Sequence, residues 1–86
     1  MHYVYILQSQ ANGTLYKGST GDLKLRFKKH NNGEVFHTAK FRPWIILFYA
    51  AFYSKERALL FEKYLKSGSG IAFMRKRIIF NRPVAK

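Results

Sequence analysis

The chain has 86 residues and no cysteine, and its sixteen Lys and Arg against four Asp and Glu give a formal net charge of +12. A chain this short buries only about 60–65% of the surface its unfolded form exposes, so it makes one domain, expected over 1–80, with 81–86 as a disordered tail. The lack of cysteine removes disulfides and thiolate metal sites, and the charge asks for a polyanionic partner, most simply nucleic acid.

Residues 2–8 are β-branched and aromatic and read as a strand, and 14–18 read as its partner. Asn12-Gly13 between them favours a hairpin turn, since both residues accept positive φ. Thr20-Gly21-Asp22 signals a helix start, with Thr20 or Asp22 as cap, and the helix is expected over 23–31. Asn31-Asn32-Gly33 stops it. Residues 34–43 read as a polar loop that Pro43 closes. Trp44 to Phe52 is a continuous apolar run and reads as a strand buried on both faces. Ser54 caps a second helix over 55–66, and Gly68-Ser69-Gly70 breaks it. The basic segment 73–80 reads as a short third helix. The order β-β-α-β-α with a short tail helix predicts an α+β fold, a small three-stranded antiparallel sheet flanked by helices.

The longest apolar stretch, Trp44 to Tyr53, is too short to span a bilayer. No basic helix shows a clean apolar half. Met1-His2-Tyr3-Val4 lacks the basic start and cleavage site of a secretory signal. The expectation is a cytoplasmic monomer.

Five residues stand out. On the first helix, Leu23 and Phe27 form the apolar stripe, and Arg26 and His30, four apart, border it on one side. The bland alternatives are a solvated arginine and a histidine at the favourable end of the helix dipole. Glu62 falls at the edge of the second helix's apolar face, between Ala58 and Leu65. It is either an ion-pair partner of Lys66 at i, i+4 or a metal ligand in a chain with three other carboxylates, Asp22, Glu34 and Glu56. Tyr5 and Tyr16 share one sheet face for any even loop. A strict two-residue turn would offset them by four positions, about 13 Å. A shared site therefore needs a wider loop, roughly 9–13. The bland alternative is a pair of core aromatics.

In this order and spacing the residues resemble the GIY-YIG nuclease superfamily. The first motif reads Tyr3-Val4-Tyr5 and the second Tyr16-Lys17-Gly18, with Arg26 eight residues after Gly18 and His30 four after Arg26. The stretch from Thr20 to Gly33, Arg42-Pro43-Trp44 ahead of the third strand, and Glu62-Lys63-Tyr64-Leu65-Lys66 resemble the small stand-alone bacterial branch, over about residues 2–78. The first motif lacks its opening glycine, Lys17 replaces an apolar residue or Thr, and Ile71 stands where the branch often carries Arg.

The resemblance implies hydrolysis of DNA phosphodiester bonds in repair or recombination. A tyrosine of the two motifs activates water, Arg26 clamps the phosphate, and Glu62 ligates one divalent ion, Mg²⁺ or Mn²⁺. His30 positions the tyrosine or the phosphate. Tyr5, Tyr16, Arg26, His30 and Glu62 are thus the expected catalytic set. Lys17, Lys29, Lys40, Arg42, Lys66, Arg75, Lys76 and Arg77 are the expected nucleic-acid contacts. The charge alone fits a non-catalytic nucleic-acid-binding module as well, with RNA as a possible ligand, or a basic surface for an acidic protein.

Overall fold

The computed structural model describes residues 1–79; the expected tail at 81–86 lies outside the described residues. The elements are β1 (His2–Ser9), β2 (Leu15–Thr20), α1 (Leu23–Asn31), a 3₁₀ turn (Ala39–Phe41), β3 (Trp44–Phe52), α2 (Lys55–Leu65), α3 (Gly68–Met74) and a π-helical turn (Arg75–Ile79). The strands form one antiparallel sheet in the order β2-β1-β3. The α+β expectation holds in full.

β1 lies in the centre, and alternation along it builds two cores. Val4 and Ile6 pack against Ala58 and Leu65 of α2 and Met74 of α3. Tyr5 and Leu7 point the other way and meet Trp44, Tyr16, and Leu23 and Phe27 of α1. Helices therefore cover both faces of a single thin sheet.

The expectation of a buried strand at 44–52 is wrong. β3 is an edge strand among the described residues, and Ile45, Tyr49 and Ala51 are exposed. Two features produce its apolar run. Ile46 faces the α1 side while Phe48 and Phe52 face the α2 side. A register irregularity between Ile6 and Leu7 also leaves Leu47 as an extra residue, since Ile6 pairs with Phe48 and Leu7 with Ile46. Leu47 and Phe48 then pack into the same cluster, which breaks the alternation.

The hairpin takes the wider loop and not the strict two-residue turn. Gln8 pairs with Leu15, and Ser9 N–H donates to Thr14 O at 2.8 Å, leaving 10–13 as the loop. Gly13 takes φ +80°. Asn12 acts through its side chain, whose Oδ1 accepts from Thr14 N–H at 3.0 Å. Tyr5 consequently faces Gly18, and Tyr16 faces Leu7, an offset of two positions.

Asp22, one of the two residues considered as cap, caps α1 by accepting from Leu25 N–H at 3.0 Å. The other end closes as a Schellman motif. Gly33 at φ +80° donates to His30 O at 3.3 Å, and Glu34 N–H donates to Lys29 O at 3.0 Å. The chain therefore turns back over the end of α1.

The Gly-Ser-Gly segment expected to break the helical region instead begins α3. Ser67 caps it by accepting from Gly70 N–H at 3.2 Å. Gly70 lies directly against Tyr64 O, and a Cβ there would come 2.6 Å from Leu65 Cα. Only glycine permits this close passage of α3 past the end of α2. Gly68, two residues earlier, has no neighbour within 4 Å of such a Cβ.

The pair gives a controlled test by urea denaturation. Gly70→Ala should cost at least about 2 kcal/mol through backbone overlap. Gly68→Ala should leave stability unchanged or raise it by up to about 1 kcal/mol. Equal effects at the two positions would contradict this packing.

Candidate active site

Tyr5 is the floor of the site. Its ring lies across Gly18 of β2, where a Cβ would come 2.7 Å from the Tyr5 hydroxyl oxygen and 2.8 Å from Cζ. The glycine of the second motif thus serves the tyrosine of the first. The side chain is 1% exposed. Tyr16 stands beside it with ring centroids 6.3 Å apart, and its own ring is only partly buried.

His30 closes the pair from α1. Its ring meets Tyr16 edge-on at 5.1 Å and Tyr5 at 5.7 Å. Nε2 is 2.8 Å from the Tyr5 hydroxyl, and Nδ1 is 2.8 Å from Thr38 Oγ1. Thr38 Oγ1 in turn donates to Val35 O at 3.4 Å. That direction assigns the protons: Thr38 accepts from Nδ1–H, so Nε2 holds a lone pair and Tyr5 donates to it. Burial, with the Arg26 charge adding to it, lowers the His30 pKa to about 4. His30 is neutral at physiological pH, so the helix-dipole alternative fails for it.

Arg26 lies one turn earlier, partly buried, with its guanidinium against the Tyr5 hydroxyl. Burial raises the Tyr5 pKa. Hydrogen bonding and charge from Arg26 oppose that rise, while Tyr16 and Glu62 add to it. Arg26 therefore stabilises a phenolate at Tyr5 and disfavours a cation at His30.

Glu62 reaches the same neighbourhood from the opposite layer, because its charge acts on Tyr5. Its side chain is 19% exposed and pairs with Lys66 Nζ at 3.1 Å. The bland ion pair is present, and the Glu62 charge also acts weakly on Tyr5. Among the described residues no group of three His, Cys, Asp or Glu could hold a metal. A lone carboxylate does not suit zinc, which wants three or four protein ligands. It does suit a Mg²⁺-type ion, which keeps several waters and takes its other ligands from substrate phosphate.

The cationic residues are more scattered. Lys17 alternates to the face away from Tyr16, as expected. Lys29 is partly buried on α1. Arg42 folds back, with Nε donating to Ala39 O at 2.6 Å and its guanidinium against Gly33. Lys40 Nζ sits 6.0 Å from the Phe41 ring centroid. Arg75, Lys76 and Arg77 are exposed on the turn after α3.

Three supporting residues escaped the sequence reading. Thr38 fixes His30 and also accepts from Trp44 Nε1 at 3.0 Å through its carbonyl. Asn31 clamps Trp44 twice, accepting from its N–H at 2.7 Å and donating to its carbonyl at 3.1 Å. Ser9 Oγ donates to Phe41 O at 2.6 Å. No periodicity marks them, because each acts between segments.

The profile of the GIY-YIG catalytic domain family matches residues 1–72. A UPF0213 protein of Streptococcus pyogenes serotype M5 is 42% identical over 65 residues, 74% of this chain and 70% of that protein. A serotype M3 relative is 40% identical over the same length. The solution NMR structure of a UPF0213 protein from Bacillus halodurans matches at TM-score 0.54 and 35% identity, covering 87% of this chain and 82% of that one.

The buried histidine has a measurable consequence. With a pKa of about 4 when folded and 6.5 when unfolded, His30 binds fewer protons in the native state between those values. Stability should fall as pH drops through this window, by on the order of 3 kcal/mol in total. Urea midpoints between pH 7 and 4 should show this slope for the wild type and a flatter one for His30→Gln. Parallel slopes would mean that His30 titrates alike in both states.

Proposed function

The chain belongs to the GIY-YIG family of nucleases, and on that premise we propose that it is a divalent-metal-dependent endonuclease hydrolysing DNA phosphodiester bonds. The observation that carries this reading is that one buried hydroxyl, Tyr5, feels Arg26, Tyr16 and Glu62 together while bonded to His30. These five residues come from four separate elements, and a core packed only for stability has no need to gather them.

Each side chain then has a task. Arg26 grips the scissile phosphate with its planar fork and offsets charge building on it. Glu62 would hold the ion in place of Lys66, since a solvent-facing ion pair is worth little and yields readily. The ion, when bound, supplies Lewis-acid stabilisation to phosphate and leaving oxygen. Tyr16 meets the attacking water, because its ring is accessible while Tyr5 is sealed below it. Tyr5 passes the order of the interior outward: held by His30 and Gly18, it fixes the position of Arg26 and Tyr16. His30 acts as a positioning residue. A role in repair or recombination fits a nuclease of this kind and is part of the proposal.

Two measurements test the reading. Purified protein with Mg²⁺ or Mn²⁺ should cut at least one of duplex, branched or single-stranded DNA. Glu62→Gln should lower that rate by at least roughly a hundredfold while DNA remains bound. A non-catalytic binding module would show steeply salt-dependent binding, no cleavage and no response to Glu62→Gln. The tyrosines should separate by stability. Tyr16→Phe should remove cleavage with little change in unfolding. Tyr5→Phe should also destabilise by about 1–3 kcal/mol, since it leaves His30 Nε2 buried and unpartnered. Full activity in Tyr16→Phe would rule it out as the group that meets water.

A further inference from the structure

Phe36 is 88% exposed on the loop between α1 and β3, and it is the one exposed phenylalanine among the described residues. A single exposed apolar residue is ordinary on a protein surface. The setting of this one is not. Its neighbours Val35 and Thr38 are buried, and Thr38 and Ala39 both donate to Val35 O, at 3.1 and 3.0 Å. Phe36 and His37 therefore stand at the tip of a turn whose feet are fixed in the core, with their rings edge-on at 5.6 Å. Beside them opens a cleft of about 490 Å³, lined by Phe36, His37, Ala39, Lys40 and Phe41. That volume lies in the range of small-molecule sites.

The cleft has two aromatic walls, a cation, and no carboxylate among its lining residues. Lys40 Nζ sits 6.0 Å from the Phe41 ring centroid, and Arg42 follows closely in the chain. Glu34, the nearest acid in sequence, is engaged by Asn32 Nδ2 at 3.3 Å. Aromatic faces next to cations on a chain of net charge +12 suit a base attached to a phosphate backbone. They do not suit an acidic peptide, which would leave the aromatic walls without flat partners.

The cleft is also joined to the candidate active site. Thr38, one residue beyond His37, contacts His30 at 2.8 Å, and His30 contacts Tyr5 at 2.8 Å. We infer that this cleft receives an unpaired nucleobase of the bound strand, stacked on Phe36 with its phosphate against Lys40. The inference rests on the nuclease reading and names its substrate class: DNA with unpaired bases beside the cut. A fully paired duplex keeps its bases stacked inside and has none to offer without the cost of unstacking.

The test measures binding at fixed salt in EDTA, where no cleavage occurs. The probes are a duplex with a short bulge carrying a fluorescent adenine analogue, and the same duplex fully paired. The wild type should prefer the bulged DNA and quench the analogue. Phe36→Ala should lower the bulged-over-paired affinity ratio roughly tenfold, the size expected for one lost base–aromatic stack. Phe36→Trp should retain the preference and the quenching. An unchanged ratio in Phe36→Ala, or no preference in the wild type, overturns the inference, and the exposed ring then belongs to another partner. If the wild type also cuts paired DNA in Mg²⁺, the nuclease reading survives that outcome. If it neither binds nor cuts any DNA, both fall together.

Discussion

The buried chain of hydrogen bonds from Tyr5 through His30 to Thr38 holds the candidate active site in place. It joins β1, α1 and the loop before β3, three segments that no disulfide connects. His30 and Thr38 are fully buried, and no buried side-chain nitrogen or oxygen among the described residues lacks a partner. Such a network adds only about 1 kcal/mol per bond when complete, yet costs more when one member is removed. It therefore acts mainly by excluding alternatives. Tyr5 has one place to put its hydroxyl, and everything aimed at that hydroxyl inherits a fixed position.

The electrostatics follow from this placement. A buried imidazole beside a guanidinium stays neutral, which leaves Nε2 free to accept. The same guanidinium eases ionisation of the Tyr5 phenol, which donates to Nε2. One cation thus acts on two neighbouring groups in the same sense, favouring the neutral imidazole and the ionised phenol alike. Among the described residues, Glu62 is the carboxylate whose charge acts on Tyr5, and under the proposed function it would serve the metal ion beside the phosphate held by Arg26. The exposed ion pair with Lys66 gives that carboxylate a resting partner.

Much of this was legible in the sequence, and the reasons differ by residue. The 3.6-residue period placed Leu23, Arg26 and Phe27 on the sheet-facing side of α1, but it set His30 at the border of the apolar stripe, whereas His30 is the fully buried residue of the helix. Parity placed Tyr5 and Tyr16 on one face for any even loop, and the loop 10–13 is even. Their offset could not be read, because loop length depends on Ser9, whose hydroxyl accepts from Ala11 and Asn12 N–H at 3.0 and 3.2 Å. The apolar run of β3 was mistaken for a buried strand. Composition reports that a segment touches two cores, not where it stands in the sheet, and the extra Leu47 hid the alternation. Gly70 read as a breaker because its role is steric: it lets two helices meet. Thr38 was invisible since its partner lies eight residues back, across a Schellman turn.

The most direct test of the account is the protonation of His30 in the native protein, read by nitrogen-15 NMR of the imidazole at neutral pH. The account predicts a neutral ring with the proton on Nδ1 and an unprotonated, hydrogen-bonded Nε2, persisting as the pH is lowered to about 5. An imidazolium at neutral pH, or a ring protonated on Nε2, would mean that Tyr5 does not donate to His30, and the arrangement built on that bond would be wrong.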